Sequence, residues 1–327
     1  MIIDVENHLC MIEQVEKGKS QSGVICQRYW DSSGKVRIRK FQDASNLEKY
    51  LQFMDEAGID MAVLSNNLNG GLDEMKTWND FCAKIVRENP KRLAGFACVP
   101  PLGGKAALDE IERAVKVLGL KGVHIYTRID GHMLDSRELW PFYDKVSQLG
   151  IPIDVHVTTS PEGFDALHSA YPLYYVMARE LDMCVTTLRI CLGGVLEDFP
   201  DLAFIMNHFG GGVSSIIERL DSYMSYVGPG WPDFYFEKRL ISKPWRDYFA
   251  KLYFSMAGRE VGVESVKCAL TNISPKKLLF ATDWPYNFDY RPGDVKRYVE
   301  EISKLDLAKD DIEGMLGGNA AKLLGLN

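Results

Sequence analysis

At 327 residues the chain could form two average domains or one large α/β barrel, and its 46% hydrophobic and 25% charged residues suit a globular protein with a sizeable core. A formal net charge of −7 with no long basic run argues against nucleic acid or an anionic membrane surface as the main partner. No apolar run is long enough to span a bilayer, Met1–Leu9 lacks a secretory pattern, and the seven cysteines form no C-x-x-C pair, so free thiols in a reducing, cytoplasmic setting are expected.

Short apolar runs alternate with amphipathic stretches, the pattern of βα units around a parallel sheet. The first run, Ile2–Val5, leads into Glu6-Asn7-His8 and not into a Gly-rich nucleotide-binding turn. In Ser20–Phe41, Val24–Trp30 and Lys35–Phe41 flank Asp31-Ser32-Ser33-Gly34, which predicts a β-hairpin inserted before the first helix. Asn46–Ala57 has a helical period, with Leu47, Tyr50, Leu51 and Met54 on one face. Strands are expected at Met61–Leu64 and Leu93–Cys98, then a helix over Ala106–Val117 through Leu108, Ile111, Ala114 and Val115. A strand at Gly122–Tyr126 precedes a helix over Glu138–Leu149. Four more strands follow, at Ile153–Val157, Ala203–Met206, Leu252–Ser255 and Leu278–Ala281. Between the last two pairs, Gly228–Trp245 is aromatic and Pro-punctuated, a composition typical of a lid or an interface segment. Eight strands with intervening helices predict an α/β fold, a (β/α)8 barrel, in one domain over residues 1–327. An open doubly wound sheet is the alternative, and it needs no eighth strand.

In such a barrel the C-terminal strand ends form the active face. Glu6 and His8 end the first strand and, two residues apart, point to the same side. His156 sits at the end of strand five, His208 just past strand six and Asp283 just past strand eight. Four strands thus bring nitrogen and oxygen donors to one rim, a mix that suits Zn²⁺ or Mn²⁺. Singly, each residue has a plainer reading: Asp283 as a helix cap, Glu6 as a salt-bridge partner, His124 as a hydrogen-bonded core residue or a pocket wall. His132 and His168 read as surface. As a set, buried carboxylates require a compensating cation.

The motifs Ile3-Asp4-Val5-Glu6-Asn7-His8, Leu120-Lys121-Gly122-Val123-His124, Gly150–His156, Asn207-His208-Phe209-Gly210-Gly211, Leu279–Pro285 and Gly317-Gly318-Asn319-Ala320-Ala321 span nearly the whole chain. Together they resemble the amidohydrolase superfamily, in the branch of aminocarboxymuconate semialdehyde decarboxylase and the resorcylate-type decarboxylases. Glu6 stands where most of that branch has a histidine, which resembles the resorcylate and dihydroxybenzoate enzymes. The resemblance implies one divalent metal ion, Zn or Mn, held by Glu6, His8, His156 and Asp283, with His208 as a nearby acid/base residue. It also implies a homodimer or dimer-based oligomer.

Two reactions suit such a site. One is non-oxidative decarboxylation of a small aromatic or unsaturated carboxylic acid, with Asp283 as proton donor and His208 orienting or replenishing that proton. The other is hydrolysis of an amide, lactone or other carbonyl by metal-bound water. The Glu6-Asn7-His8 variant favours decarboxylation. A metal-free binding protein is a third class, set aside because every metal-ligand type is intact. For substrate binding the candidates are His124, Arg219, Arg259, Phe209 and Trp284, with Arg128, Arg28 and Arg37 as further arginines able to meet a carboxylate.

Overall fold

Eight strands run parallel in chain order: β1 (Ile3–Asp4), β2 (Met61–Leu64), β3 (Leu93–Gly95, continued by Ala97–Cys98), β4 (Val123–Tyr126), β5 (Ile153–His156), β6 (Phe204–Met206), β7 (Tyr253–Ser255) and β8 (Leu278–Leu279). This computed structural model describes residues 1–13, 26–30, 36–40, 44–66, 70–158, 161–167, 173–225, 240–257, 262–286 and 291–326. Each strand pairs with the next, from Ile3↔Met61 between β1 and β2 to Ser255↔Leu279 between β7 and β8. The sheet then returns on itself. Val5 N donates to Phe280 O, Asp283 N to Glu6 O and His8 N to Trp284 O, and Asn7 bridges Trp284 in parallel. A sheet joined between its first and last strands is a barrel, not an open sheet.

A helix follows each strand: α1 (Leu47–Ala57), α2 (Leu72–Glu88), α3 (Gly104–Lys116), α4 (Trp140–Leu149), α5 (Arg179–Leu192), α6 (Ile217–Ser225), α7 (Val263–Leu270) and α8 (Pro292–Ser303). Local chemistry sets their limits. The Asn46 side chain accepts from Lys49 N to start α1, and Gly58 at φ 78° ends it by donating to Met54 O and Asp55 O. Tyr50, Phe53, Met54 and Ala57 form its buried face. Parallel strands covered by helices are apolar on both sides. One apolar cluster joins Ile3, Val63, Ala94, Ile205 and Leu279 from five strands. The larger one joins Ala62, Leu64, Val123, Ile125, Val155, Phe204 and Phe254 to the helices.

Cys26–Trp30 and Val36–Lys40 pair antiparallel, with Cys26 opposite Lys40 and Trp30 opposite Val36. Residues 31–35 between them lie outside the described residues, as does most of Gly228–Trp245. Cys10, Cys82, Cys98, Cys184, Cys191 and Cys268 are free thiols. Among the described residues no helix is long and apolar enough to cross a membrane.

Candidate metal centre

β1 and β8 are neighbours, so Glu6 and His8 stand beside Asp283, while β5 and β6 bring His156 and His208 from across the barrel. All five are buried. Glu6, His156, His208 and Asp283 each place a donor atom within 4.8 Å of the others. His8 falls outside that set, yet its Nε2 is 3.0 Å from Asp283 Oδ1 and its ring centroid is 4.7 Å from that of His156. The expected ligand set had His8 inside and His208 beside it. The geometry brings both to the carboxylates, because His208 is carried inward by an unusual turn.

That turn runs left-handed from His208 to Gly212, with φ between 52° and 71°. Left-handed backbone costs a residue bearing a Cβ about 1–2 kcal/mol, and three glycines at 210–212 limit the total. Gly211 also permits close approach: a Cβ there would stand 2.0 Å from Glu180 O, the second residue of α5. Packed this way, α5 places Glu180 Oε1 2.7 Å from His208 Nδ1. Asp283 likewise has positive φ, 51°, where the chain leaves β8.

The hydrogen-bond partners assign the tautomers of two imidazoles. His156 Nδ1 lies 3.1 Å from Val157 O, which only accepts, so Nδ1 carries the proton. Ser65 Oγ donates to Asn7 O and therefore accepts from His8 Nδ1, at 3.3 Å. In both rings Nε2 is left with a lone pair facing the carboxylates. Burial above all, with the charged His208 adding to it, holds the His156 pKa well below the usual histidine range, so this ring is neutral. Glu6 Oε2 accepts from Ser255 Oγ at 2.5 Å, and that hydroxyl also accepts from His208 N. Glu6 Oε1 meets His208 Nε2 at 3.0 Å and His156 Nε2 at 3.6 Å without hydrogen-bond alignment. Burial pushes the Glu6 carboxyl up, and His208 opposes that shift.

Lone pairs facing carboxylate oxygens in a buried site repel one another unless a cation sits among them. The donor set therefore fits a divalent metal ion, with second partners on Nδ1 of the kind that orient histidine ligands. His208 differs from His8 and His156. Burial disfavours its charged form, but Glu180 and then Glu6 outweigh this and hold its pKa well above the usual range. Glu180 is one-third exposed, so it connects His208 to solvent.

His124 is buried, with Nδ1 2.6 Å from Asp154 Oδ2 and its ring 5.8 Å from that of His156. Phe209 is buried beside His208 in the left-handed turn. Two expected substrate contacts are not brought to the site. Trp284 is fully buried and packs on Tyr50 at 4.4 Å and Phe53 at 6.3 Å, which makes it core. Arg219 lies on the exposed face of α6 over the ring of Tyr223. Arg128 is tied to Asp182 at 2.7 Å. Arg259 and His168, and the side chains of Arg28 and Arg37, lie outside what the structure describes. Sequence reasoning missed Ser65, Ser255, Asp154 and Glu180. The glycine run at 210–212 was the available signal for a close approach, though it does not say which helix residue is approached.

A family model described as Amidohydrolase matches residues 3–326. A 2-amino-3-carboxymuconate-6-semialdehyde decarboxylase of Dictyostelium discoideum is 26% identical, over 85% of this chain and 76% of its own length. A gamma-resorcylate decarboxylase of a Polaromonas species is 26% identical, over 99% and 98%. Among solved structures, 5-carboxyvanillate decarboxylase from Sphingomonas paucimobilis superposes with a TM-score of 0.81 at 20% identity, covering 100% of this chain and 99% of that one. A Polaromonas dihydroxybenzoic acid decarboxylase with bound manganese and the inhibitor 2-nitroresorcinol gives 0.78 at 23% identity, covering 100% and 97%. Matched by the family model over nearly its whole length, the chain belongs to the amidohydrolase family.

Proposed function

We propose that this protein is a metal-dependent decarboxylase that removes CO2, without oxidation, from a small aromatic or unsaturated carboxylic acid. The observation that carries the metal dependence is the set of imidazole nitrogens of His8 and His156 facing the carboxylates of Asp283 and Glu6. The decarboxylase reading is supported by relatives that are named as decarboxylases of aromatic or unsaturated acids. Glu6, His8, His156 and Asp283 hold one ion, Zn or Mn. When bound, a divalent ion supplies Lewis acidity, fixing acidic oxygens of the substrate and withdrawing charge.

This chain's residues do the rest. Asp283 delivers a proton to the carbon that bears the carboxylate. The bond to the carboxylate then breaks, its electron pair returns to the unsaturated system, and CO2 departs. His208, charged between Glu180 and Glu6, restores the proton, and Glu180 links it to solvent. His124 and Phe209 border the substrate, and Arg259 remains a candidate contact. The chain acts as one domain over residues 1–327, with the ribbon of Cys26–Trp30 and Val36–Lys40 as an insertion between β1 and α1, and it works as a homodimer or dimer-based oligomer in the cytoplasm.

A hydrolase would use the same donors, so the test follows solvent atoms. Aromatic and unsaturated acids are incubated with the manganese- or zinc-loaded protein in D2O, and CO2 and product are measured. The reading requires CO2 release with deuterium on the carbon that lost it. Incorporation of solvent oxygen from labelled water into a product acid, without CO2, overturns it.

A further inference from the structure

A half-buried arginine usually lies against a carboxylate, because desolvating a guanidinium without a partner is costly. This chain follows that rule closely. Arg92 meets Asp55, Arg113 meets Asp80 and Glu110, Arg128 meets Asp182, Arg246 meets Asp221 and Arg291 meets Asp294. Arg179 is also half-buried, and among the described residues it makes no ion pair. Its Nε is closed off from solvent and donates no hydrogen bond among the described residues.

Its position adds to this. Arg179 is the first residue of α5, next to Glu180, whose carboxylate is committed to His208 Nδ1 at 2.7 Å. The left-handed turn at 208–212 holds this end of α5 against the metal centre. Burial dominates the pKa shifts of His156 on β5 and Tyr126 on β4, and the Arg179 guanidinium lies near enough to add a smaller effect at each. The rings of those two residues are 6.3 Å apart, and Tyr126 also lies 5.7 Å from His124. Arg179 is therefore a cation, unmatched among the described residues, at the β4–β5 side of the pocket.

We propose that Arg179 grips an anionic substituent of the substrate away from the metal, so that the pocket selects acids with two anionic groups over monoanions. This rests on the reading of the site as one for small carboxylic acids. A guanidinium presents two parallel N–H donors that match a carboxylate, and a partly desolvated pair of this kind is stronger than one in water.

The test is binding, which needs no turnover. The manganese-loaded protein is titrated calorimetrically with isophthalate and with benzoate, and metal content is measured for every variant. The wild type should bind isophthalate about tenfold tighter or more, as expected of one added charged hydrogen-bonded pair. Arg179→Gln should bring the two within about twofold at unchanged metal content, and Arg179→Lys should keep only part of the preference, since an ammonium lacks the fork. Equal binding of the two acids by the wild type overturns the proposal. So does an undiminished preference in Arg179→Gln, or in Arg179→Lys should the Gln variant fail to fold. Because no CO2 is measured, a failure of the decarboxylase reading and a failure of this one are separately visible.

Discussion

Asp4 and Glu6 are two buried carboxylates two residues apart on the same chain segment, and they live in opposite circumstances. Asp4 is saturated: Oδ1 accepts from Thr282 N at 2.9 Å and Glu6 N at 3.3 Å, and Oδ2 from Thr282 Oγ1 at 2.7 Å and Tyr50 OH at 3.4 Å. Burial still pushes its carboxyl up to about 7 against those hydrogen bonds. Its work is structural, stitching β1 to the chain leaving β8 and to α1. Glu6 is half-satisfied, with Ser255 on one oxygen and imidazole nitrogens facing the other. Burial alone does not separate a structural carboxylate from a functional one. What separates them is which oxygens the protein leaves without an aligned donor.

The largest effect is expected at Glu6. Glu6→Gln keeps the size and removes the charge, so metal affinity should fall by more than about 100-fold and turnover with it. Elemental analysis after desalting reads the first and a CO2 assay the second. Asp283→Asn should cost about 10²–10⁴ in turnover while part of the metal is retained, because an amide can still offer an oxygen but has no carboxylic proton to deliver. Near-normal turnover in that variant would remove Asp283 from the chemistry.

His208→Ala sharpens the distinction between ligand and proton carrier. Turnover should drop by about 10²–10⁴ with metal content kept. Metal loss equal to that of His156→Ala would make His208 a ligand, which the donor distances also allow. Glu180→Gln is milder, about tenfold to a hundredfold in turnover with metal content kept, since the amide still meets Nδ1 without the charge. Smallest in activity is Asp4→Asn. It should cost about 1–3 kcal/mol of stability by mismatching a donor-saturated site, leaving metal content unchanged. Thermal unfolding alongside elemental analysis checks both.

The strands were legible in the sequence because each is an apolar run between turns, and a strand covered on both faces has that pattern. The expected ends were generous. Ile2–Val5 shortens to Ile3–Asp4, and Leu278–Ala281 to Leu278–Leu279, although backbone hydrogen bonds between the two segments continue as far as His8 and Trp284. Donors at strand ends were legible for the same reason: a barrel gathers strand ends at one rim. Glu180 and Arg179 were not, since they open a helix and reach the site only through the left-handed turn at 208–212. Helical period could not say which arginine faces the pocket, and the structure sets Arg219 outward. Trp284 follows Asp283 directly, yet it turns into the core against Tyr50.

All of these outcomes presuppose that the unsatisfied donors hold a cation. The direct measurement is elemental analysis of the purified wild-type protein, coupled to activity before and after chelation. About one divalent ion per chain is predicted, with activity lost on chelation and restored by added manganese or zinc. Protein without stoichiometric metal, whose activity is indifferent to the chelator, would contradict the account.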